Sequence, residues 1–451
     1  MTGRLYHSSV YDFAHPVPSY WEETAPPCAW EHQPLEADES CDVAIIGGGF
    51  TGLSAAIHLA RDHAIDVRVL EAGRVGWGAS GRNGGFCGLA ATKLSVAGMI
   101  RRYGLAEAKR FYDSQREGID LVEALAEDEG IDYQRAGDGN YETAHAPRAL
   151  AGLEDYADAL TRHFAIPPRQ LSREAFAAEV HDGREQFGGV HVGVGFALHP
   201  LRFCRGLADA AARRGAVIHP NSEVIGWERA NGRHLLITEK GNVKAKQVIV
   251  ATNAFAPEGL MPPFAGRVLP VLSNIITTRP LSEAELAAQS WRTLSPICNS
   301  RNLLFYYRLL PDRRFLIGAR GDLSGDPAGG DKMKAWLSGR LGQILPAWKE
   351  VEISHFWRGL VCMSRKLSPS LGRLEADPSV WYGYGFHANG VNTAPWAGRL
   401  LARLIAGRAD LQADLPLITA GQAPRFPLPA LRRWYIRGAY LWYRMTDDWL
   451  P

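Results

Sequence analysis

The run from Cys41 to Gly85, CDVAIIGGGFTGLSAAIHLARDHAIDVRVLEAGRVGWGASGRNGG, constrains this chain more than any other stretch. Val43 to Ile46 is an apolar run ending at Gly47, and Gly47, Gly49 and Gly52 follow in GxGxxG spacing where a helical pattern begins. Buried strand, tight turn and helix are the expected order. Gly47 permits the turn, Gly49 lets a pyrophosphate approach the backbone, and Gly52 allows close packing of helix on strand. With Phe50 and Thr51 between them, the helix start would offer unpaired N–H groups to phosphate oxygens.

A bare glycine motif of this kind also arises in purely structural turns, so its surroundings decide. Asp66 to Leu70 reads as a second buried strand, and it ends at Glu71, nineteen residues after Gly52 and followed by Ala72. A carboxylate there accepts hydrogen bonds from both hydroxyls of an adenosine ribose and would repel a 2′-phosphate. The expected ligand is therefore FAD or NAD, and not NADP. A second glycine-rich loop comes next, with Gly76, Gly78, Gly81, Gly84 and Gly85 interleaved by Ala79, Ser80, Arg82 and Asn83. Directly after the ribose-binding strand, it is placed to line the cofactor between pyrophosphate and reactive ring.

A chain of 451 residues should hold two lobes. The formal net charge of +2 leaves no nucleic-acid footprint. The N-terminal residues carry no apolar signal-peptide core, and no run of eighteen apolar residues occurs, so a cytoplasmic protein is expected. The six cysteines are scattered without CxxC spacing, which argues for free thiols and against a metal site.

Residues 1–40, rich in Pro and aromatics, read as an arm wrapped on the surface. Val217 to His219, Arg233 to Glu239 and Val243 to Thr252 read as strands. The last ends in a small-residue turn at Ala251 and Thr252 that could touch the cofactor from its far side. Leu303 to Leu310 and Arg314 to Gly318 pair as a hairpin across Pro311-Asp312-Arg313, carrying Tyr306, Tyr307 and Arg308. Trp381 to Asn392, WYGYGFHANGVN, leads into a helix from about Thr393, a second strand, glycine loop and helix. That helix N-terminus suits the pyrimidine end of a flavin, where a carbonyl gains negative charge on reduction.

GGGFTGLSAA, VLEAGRVGWGASGRNGG, VIVATNAF and GFHANGVNTAPWAGRLLA, in this order, resemble the D-amino-acid-oxidase-like superfamily of FAD-dependent oxidoreductases, in its gamma-glutamylputrescine oxidase-like branch. The resemblance runs from about Ser19 to the C-terminus. It implies an α/β, two-lobe protein: a Rossmann-like FAD-binding domain interleaved with a β-sheet-plus-helix substrate domain. On this reading residues 41–100, 185–262 and 354–420 form the FAD domain, 101–184 and 263–353 the substrate domain, and 421–451 an amphipathic helical tail.

Carried over residue by residue, Gly47, Gly49, Gly52 and Glu71 would hold adenosine and pyrophosphate, Ser80, Asn83 and Gly84 the flavin side, Val224 the adenine through its backbone, and Thr252 the ribityl chain. Gly385, His387, Asn389, Gly390 and Val391 would lie beside the isoalloxazine. Relatives in this branch carry Ser-Gly-His-Gly where this chain has His387-Ala388-Asn389-Gly390. Sarcosine-oxidase relatives place an oxygen-activating lysine on a substrate-lobe strand, and near the matching hairpin stands Arg320 with no lysine. Some of those relatives attach flavin to a cysteine in the region of Cys362, for which an ordinary buried thiol is the expectation.

The implied reaction is hydride donation from an amine or amino acid to FAD, with hydrolysis of the imine to an aldehyde and reoxidation by O2 with release of H2O2. A dehydrogenase passing electrons to a quinone or carrier protein is the alternative, and a flavin-bound binding module without catalysis stands outside both. His387 and Tyr307 are the candidate catalytic residues, and Arg308, Arg320 and Arg358 are candidates to clamp a substrate carboxylate. In the tail, Leu431, Trp434, Tyr435, Trp442, Met445 and Trp449 share one helical face opposite Arg433, Arg437 and Arg444. Packing of that face on the chain itself is expected over contact with a membrane surface.

Overall fold

The computed structural model describes residues 4–89 and 92–448 of the chain. Two eight-stranded sheets organise it. The first runs, in spatial order, through Ser370–Arg373, Val380–Tyr384, Asn242–Val250, Glu39–Ile46, Val67–Leu70 and Val217–His219. Its four central pairings are parallel. Parallel strands need both faces covered, and the fully buried Ala44 and Ile45 show that they are. The helices Phe50–His63 and Gly390–Ile405 pack against each other so closely that a Cβ on Gly398 would sit 2.4 Å from the Thr51 carbonyl oxygen. A hairpin of Gly226–Ala230 and Arg233–Ile237 supplies the other two strands, pairing through Arg233–Ile237 with Asn242–Val250 and turning at Asn231 and Gly232, both left-handed.

The second sheet is mostly antiparallel, in the order Ile353–Ser364, Val268–Pro280, Arg314–Arg320, Phe305–Leu309, Ile297–Asn299, Asn140–Thr143, Gly189–Val192 and Arg169–Leu171. Phe315, Ile317, Leu337 and Trp348 fill the core between it and the helix Pro327–Ile344. The hairpin across Pro311 to Arg313 forms as the sequence suggests, with Arg313 left-handed at its corner.

Two strands pair elsewhere than the boundaries 185 and 354 assign them. Gly189–Val192 sits between Asn140–Thr143 and Arg169–Leu171 in the second sheet. Ile353–Ser364 pairs along almost its whole length with Val268–Pro280. Backbone hydrogen bonding over such a length outweighs the glycine-rich look of the flanking sequence.

The N-terminal arm braces the glycine loop. Trp21, in the short helix Tyr20–Thr24, donates from Nε1 to the Asn83 carbonyl at 2.9 Å, and Trp77 donates to that of His15 at 2.9 Å.

The C-terminal helix Arg432–Asp448 corrects an expectation. It packs through Arg432, Ile436 and Asp447, whereas Leu431, Trp434, Tyr435, Trp442 and Met445 are exposed. Polar anchors with defined partners hold the inward side, so the more apolar side is left outward; Trp449 lies outside the described residues. Among the described residues no helix is long and apolar enough to cross a membrane.

Candidate active site

One cavity of 470 Å³ runs between the two sheets. At one end Gly47, Gly49, Phe50 and Thr51 line it, where the first strand turns into the helix Phe50–His63. Gly47 is left-handed with φ 110°. A Cβ on Gly52 would lie 2.0 Å from the Gly47 carbonyl oxygen, so Gly52 supports this turn from behind and does not itself reach the cavity. Glu71 and Ala72 line the same end. The Glu71 carboxylate accepts from the amides of Gly48 at 2.7 Å and Gly73 at 3.0 Å, which partly offsets the burial that pushes its pKa up. Each oxygen keeps an acceptor position for a ribose hydroxyl.

The second glycine loop forms the adjoining wall with Ala79, Ser80, Arg82, Asn83 and Gly84. Ser80 Oγ accepts from the Phe50 amide at 2.9 Å and so ties this loop to the helix start. Asn83 donates to the carbonyls of Ala79 and Ser80 and accepts from the Gly85 amide at 2.7 Å. Gly85 itself is packed behind the loop, where a Cβ would meet the Leu198 oxygen at 2.0 Å. Arg82 stacks on Trp77 with its guanidinium carbon 3.8 Å from the ring centre and donates to the Trp77 and Arg358 carbonyls. Its Nη2 has no hydrogen-bond partner among the described residues, and burial lowers its pKa to about 9.

Val224, Ala251 and Thr252 supply the far wall. The other end is built by the loop before Gly390–Ile405. His387, Asn389, Gly390 and Val391 line the cavity, while Gly385 stands behind with its amide held by Asn253 Oδ1 at 3.0 Å. Asn389 donates to the Gly88 carbonyl at 2.7 Å, fastening this loop to the second glycine loop. His387 and Ala388 both adopt positive φ. His387 Nε2 lies 3.2 Å from Ser364 Oγ, its buried Nδ1 has no partner, and burial lowers its pKa to about 3. It is neutral at ordinary pH.

Tyr307 does not reach this site. It lies in the core with its hydroxyl 3.2 Å from His181 Nε2. Side chains alternate along a strand, and the residue facing the cavity is Tyr306, packed against Gly84 and Gly318 and 2.8 Å from Ser273 Oγ. Of the three candidate arginines only Arg320 lines the cavity. Arg308 donates to the Leu198 carbonyl at 2.7 Å inside the protein, and Arg358 pairs with Asp322 at 3.1 Å.

Sequence reasoning missed Lys93 and Glu142, which line the cavity with Arg320 and Cys298. Lys93 follows the second glycine loop and is anchored through its amide to the Leu367 carbonyl at 2.8 Å; Glu142 belongs to the strand Asn140–Thr143. A lysine thus reaches the cavity from a segment other than the hairpin. All four keep accessible surface although protein encloses them, because they face the cavity's open interior. That enclosure, reinforced by the charge of Arg320, lowers the pKa of Lys93 to about 7. It raises that of Glu142 to about 7 against the pull of Lys93.

The pattern of the FAD dependent oxidoreductase family, DAO, matches residues 42–404. The chain belongs to this family. It is 33% identical over 408 residues to the gamma-glutamylputrescine oxidoreductase of Escherichia coli (strain K12), covering 88% of this chain and 92% of that protein. It is 24% identical over 382 residues to the glycine oxidase of Bacillus subtilis (strain 168), covering 81% and 93% of the two chains. The crystal structure of glycine oxidase from Geobacillus kaustophilus superposes with a TM-score of 0.69 at 22% identity, covering 86% of this chain and all of that one, and so shares its fold.

The cavity of this FAD-dependent oxidoreductase fits its cofactor. Two helix N-termini open into it, a glycine turn that tolerates no Cβ forms its floor, and two buried nitrogens, Arg82 Nη2 and His387 Nδ1, lack partners along its wall. A phosphate-bearing ligand would meet the two helix N-termini and the glycine turn.

Proposed function

We propose that the enzyme oxidises a C–N bond in an amine or amino acid that carries a carboxylate away from the reacting carbon, such as a gamma-glutamyl-polyamine. One observation carries this reading: the cavity holding the nucleotide cradle continues into a chamber where Arg320, Lys93 and Glu142 converge. Two cations and a carboxylate in an enclosed space suit an amino-acid head group, the guanidinium for its carboxylate and Glu142 for its ammonium. The name of the Escherichia coli relative supports the same substrate class.

FAD would supply the acceptor for hydride from the substrate carbon, with the imine hydrolysing to an aldehyde and O2 taking the electrons to give H2O2. Gly47 to Thr51, Glu71 and the loop Ala79 to Gly84 would hold the nucleotide. The amides at Gly390 and Val391 would face the flavin ring where charge develops. Neutral His387 would form part of the wall beside the ring and would not act as an acid. Ile275, Leu304, Leu360 and Val361 line the cavity and would limit water around the bound substrate, and the Tyr306–Ser273 pair would orient the amine.

The test compares gamma-glutamylputrescine with putrescine. The reading expects kcat/KM to favour the former by about a hundredfold, the worth of one charged hydrogen-bonded clamp. Equal values would remove the head-group site. A quinone or carrier protein as electron acceptor is the second reading, favoured by the exposed aromatic side of the C-terminal helix. Peroxide yield against quinone-dye reduction separates the two.

A further inference from the structure

The helix Arg432–Asp448 is clamped at both ends. Arg432 donates to the Val268 carbonyl at 2.7 Å and pairs with Glu258. Asp447 accepts from the amides of Asn302 at 2.9 Å and Leu303 at 3.0 Å, and Ile436 is buried between these anchors. The opposite side is exposed: Trp434 at 64%, Leu441 at 65% and Trp442 at 57%, with Leu428 and Leu431 just before the helix. Arg433, Arg437 and Arg444 are exposed along one flank of that side, with Arg433 donating to the Leu5 carbonyl at 3.4 Å and the Arg437 guanidinium 5.5 Å from the Trp434 ring centre, and none has a carboxylate within ion-pair distance among the described residues. The helix's only acidic residues are engaged, Asp447 with those amides and Asp448 with Arg301.

We propose that this face docks on an anionic lipid surface. A rigidly held helix presenting tryptophans and leucines flanked by arginines without carboxylate partners matches a bilayer interface. The indoles enter the headgroup level, the leucines reach the acyl boundary, and the guanidiniums extend to anionic headgroups. Charge complementarity selects this occupant over a second copy. A two-fold contact would set the Arg433, Arg437 and Arg444 row against its own image, with no free carboxylate on the helix to answer it. Among the described residues nothing covers the exposed surfaces of Trp434, Leu441 and Trp442.

The test is flotation of the FAD-loaded enzyme with vesicles of equimolar phosphatidylcholine and phosphatidylglycerol, and with phosphatidylcholine alone. Binding to the anionic vesicles is expected, weakening as salt rises. Replacing Arg433, Arg437 and Arg444 together by Gln should lower the partition coefficient by about a hundredfold, from the worth of three interfacial cations. Trp434→Ser combined with Trp442→Ser should also release the enzyme. Flavin content and amine oxidation in solution should be unchanged in both variants. No binding at low salt would overturn the proposal, as would equal binding of the arginine variant. A concentration-dependent dimer abolished by the tryptophan variant, with no lipid binding, would assign the face to a second copy instead.

Discussion

Tyr306 and Tyr307 are adjacent on one strand and serve opposite sides of the second sheet. The Tyr306 hydroxyl meets Ser273 Oγ at 2.8 Å on the cavity wall, and that of Tyr307 meets His181 Nε2 at 3.2 Å inside the core. The two should therefore separate by phenotype. Tyr306→Phe is expected to lower kcat/KM for the amine by about tenfold, the worth of one hydrogen bond to substrate or its orienting partner, with the fold unchanged. Tyr307→Phe should cost about 1 kcal/mol of stability and leave kcat/KM alone. Steady-state kinetics paired with denaturant unfolding reads both.

The charge of the substrate chamber depends on pH near neutrality. As pH rises through about 7, Lys93 loses its proton and Glu142 loses its own, so both changes make the chamber more negative. Their steps belong to the interacting pair, not to either residue alone. A carboxylate inhibitor without an amine, titrated by its effect on the flavin spectrum, should bind more weakly above this pH. Glu142→Gln should flatten that dependence, and Arg320→Met should weaken binding at every pH by about a hundredfold.

The turn beneath the phosphates leaves no room for a side chain at Gly52, where a Cβ would stand 2.0 Å from the Gly47 oxygen. Gly52→Ala should push the helix Phe50–His63 off the first strand and yield protein without bound flavin, visible as loss of the yellow absorbance. The expected stability loss is at least about 1–3 kcal/mol, in the range of core overpacking.

Cys362 lines the cavity as a buried thiol whose pKa burial raises to about 12. A thiol held protonated is a poor nucleophile, so acid precipitation should release the flavin into the supernatant. Flavin remaining with the pellet would show a covalent bond.

The cofactor half of the site was legible because it is local. Gly47 to Gly52, Glu71 and Ala79 to Gly84 act through backbone turns whose requirements are written in neighbouring residues. The substrate half is assembled from distant segments, and each contributes by strand parity or loop path. The choice of Tyr306 over Tyr307 turned on which face of a strand is buried, which an apolar run such as Leu303 to Leu310 does not reveal. Lys93 and Glu142 lie forty-nine residues apart in sequence and meet only because Asn140–Thr143 joins the second sheet. The one available signal is the charged residue that ends the stretch GGFCGLAATK. The outward direction of the tryptophans of the C-terminal helix is not legible for a related reason: amphipathicity names two faces without saying which one Arg432 and Asp447 anchor.

The most direct test of the account is anaerobic mixing of the FAD-loaded enzyme with a panel of amines and amino acids while the flavin absorbance is followed. Rapid bleaching by amines that carry a distal amino-acid head group, and slower bleaching by the corresponding plain amines, is the predicted result. A protein that takes up FAD yet is bleached by no amine or amino acid would contradict it.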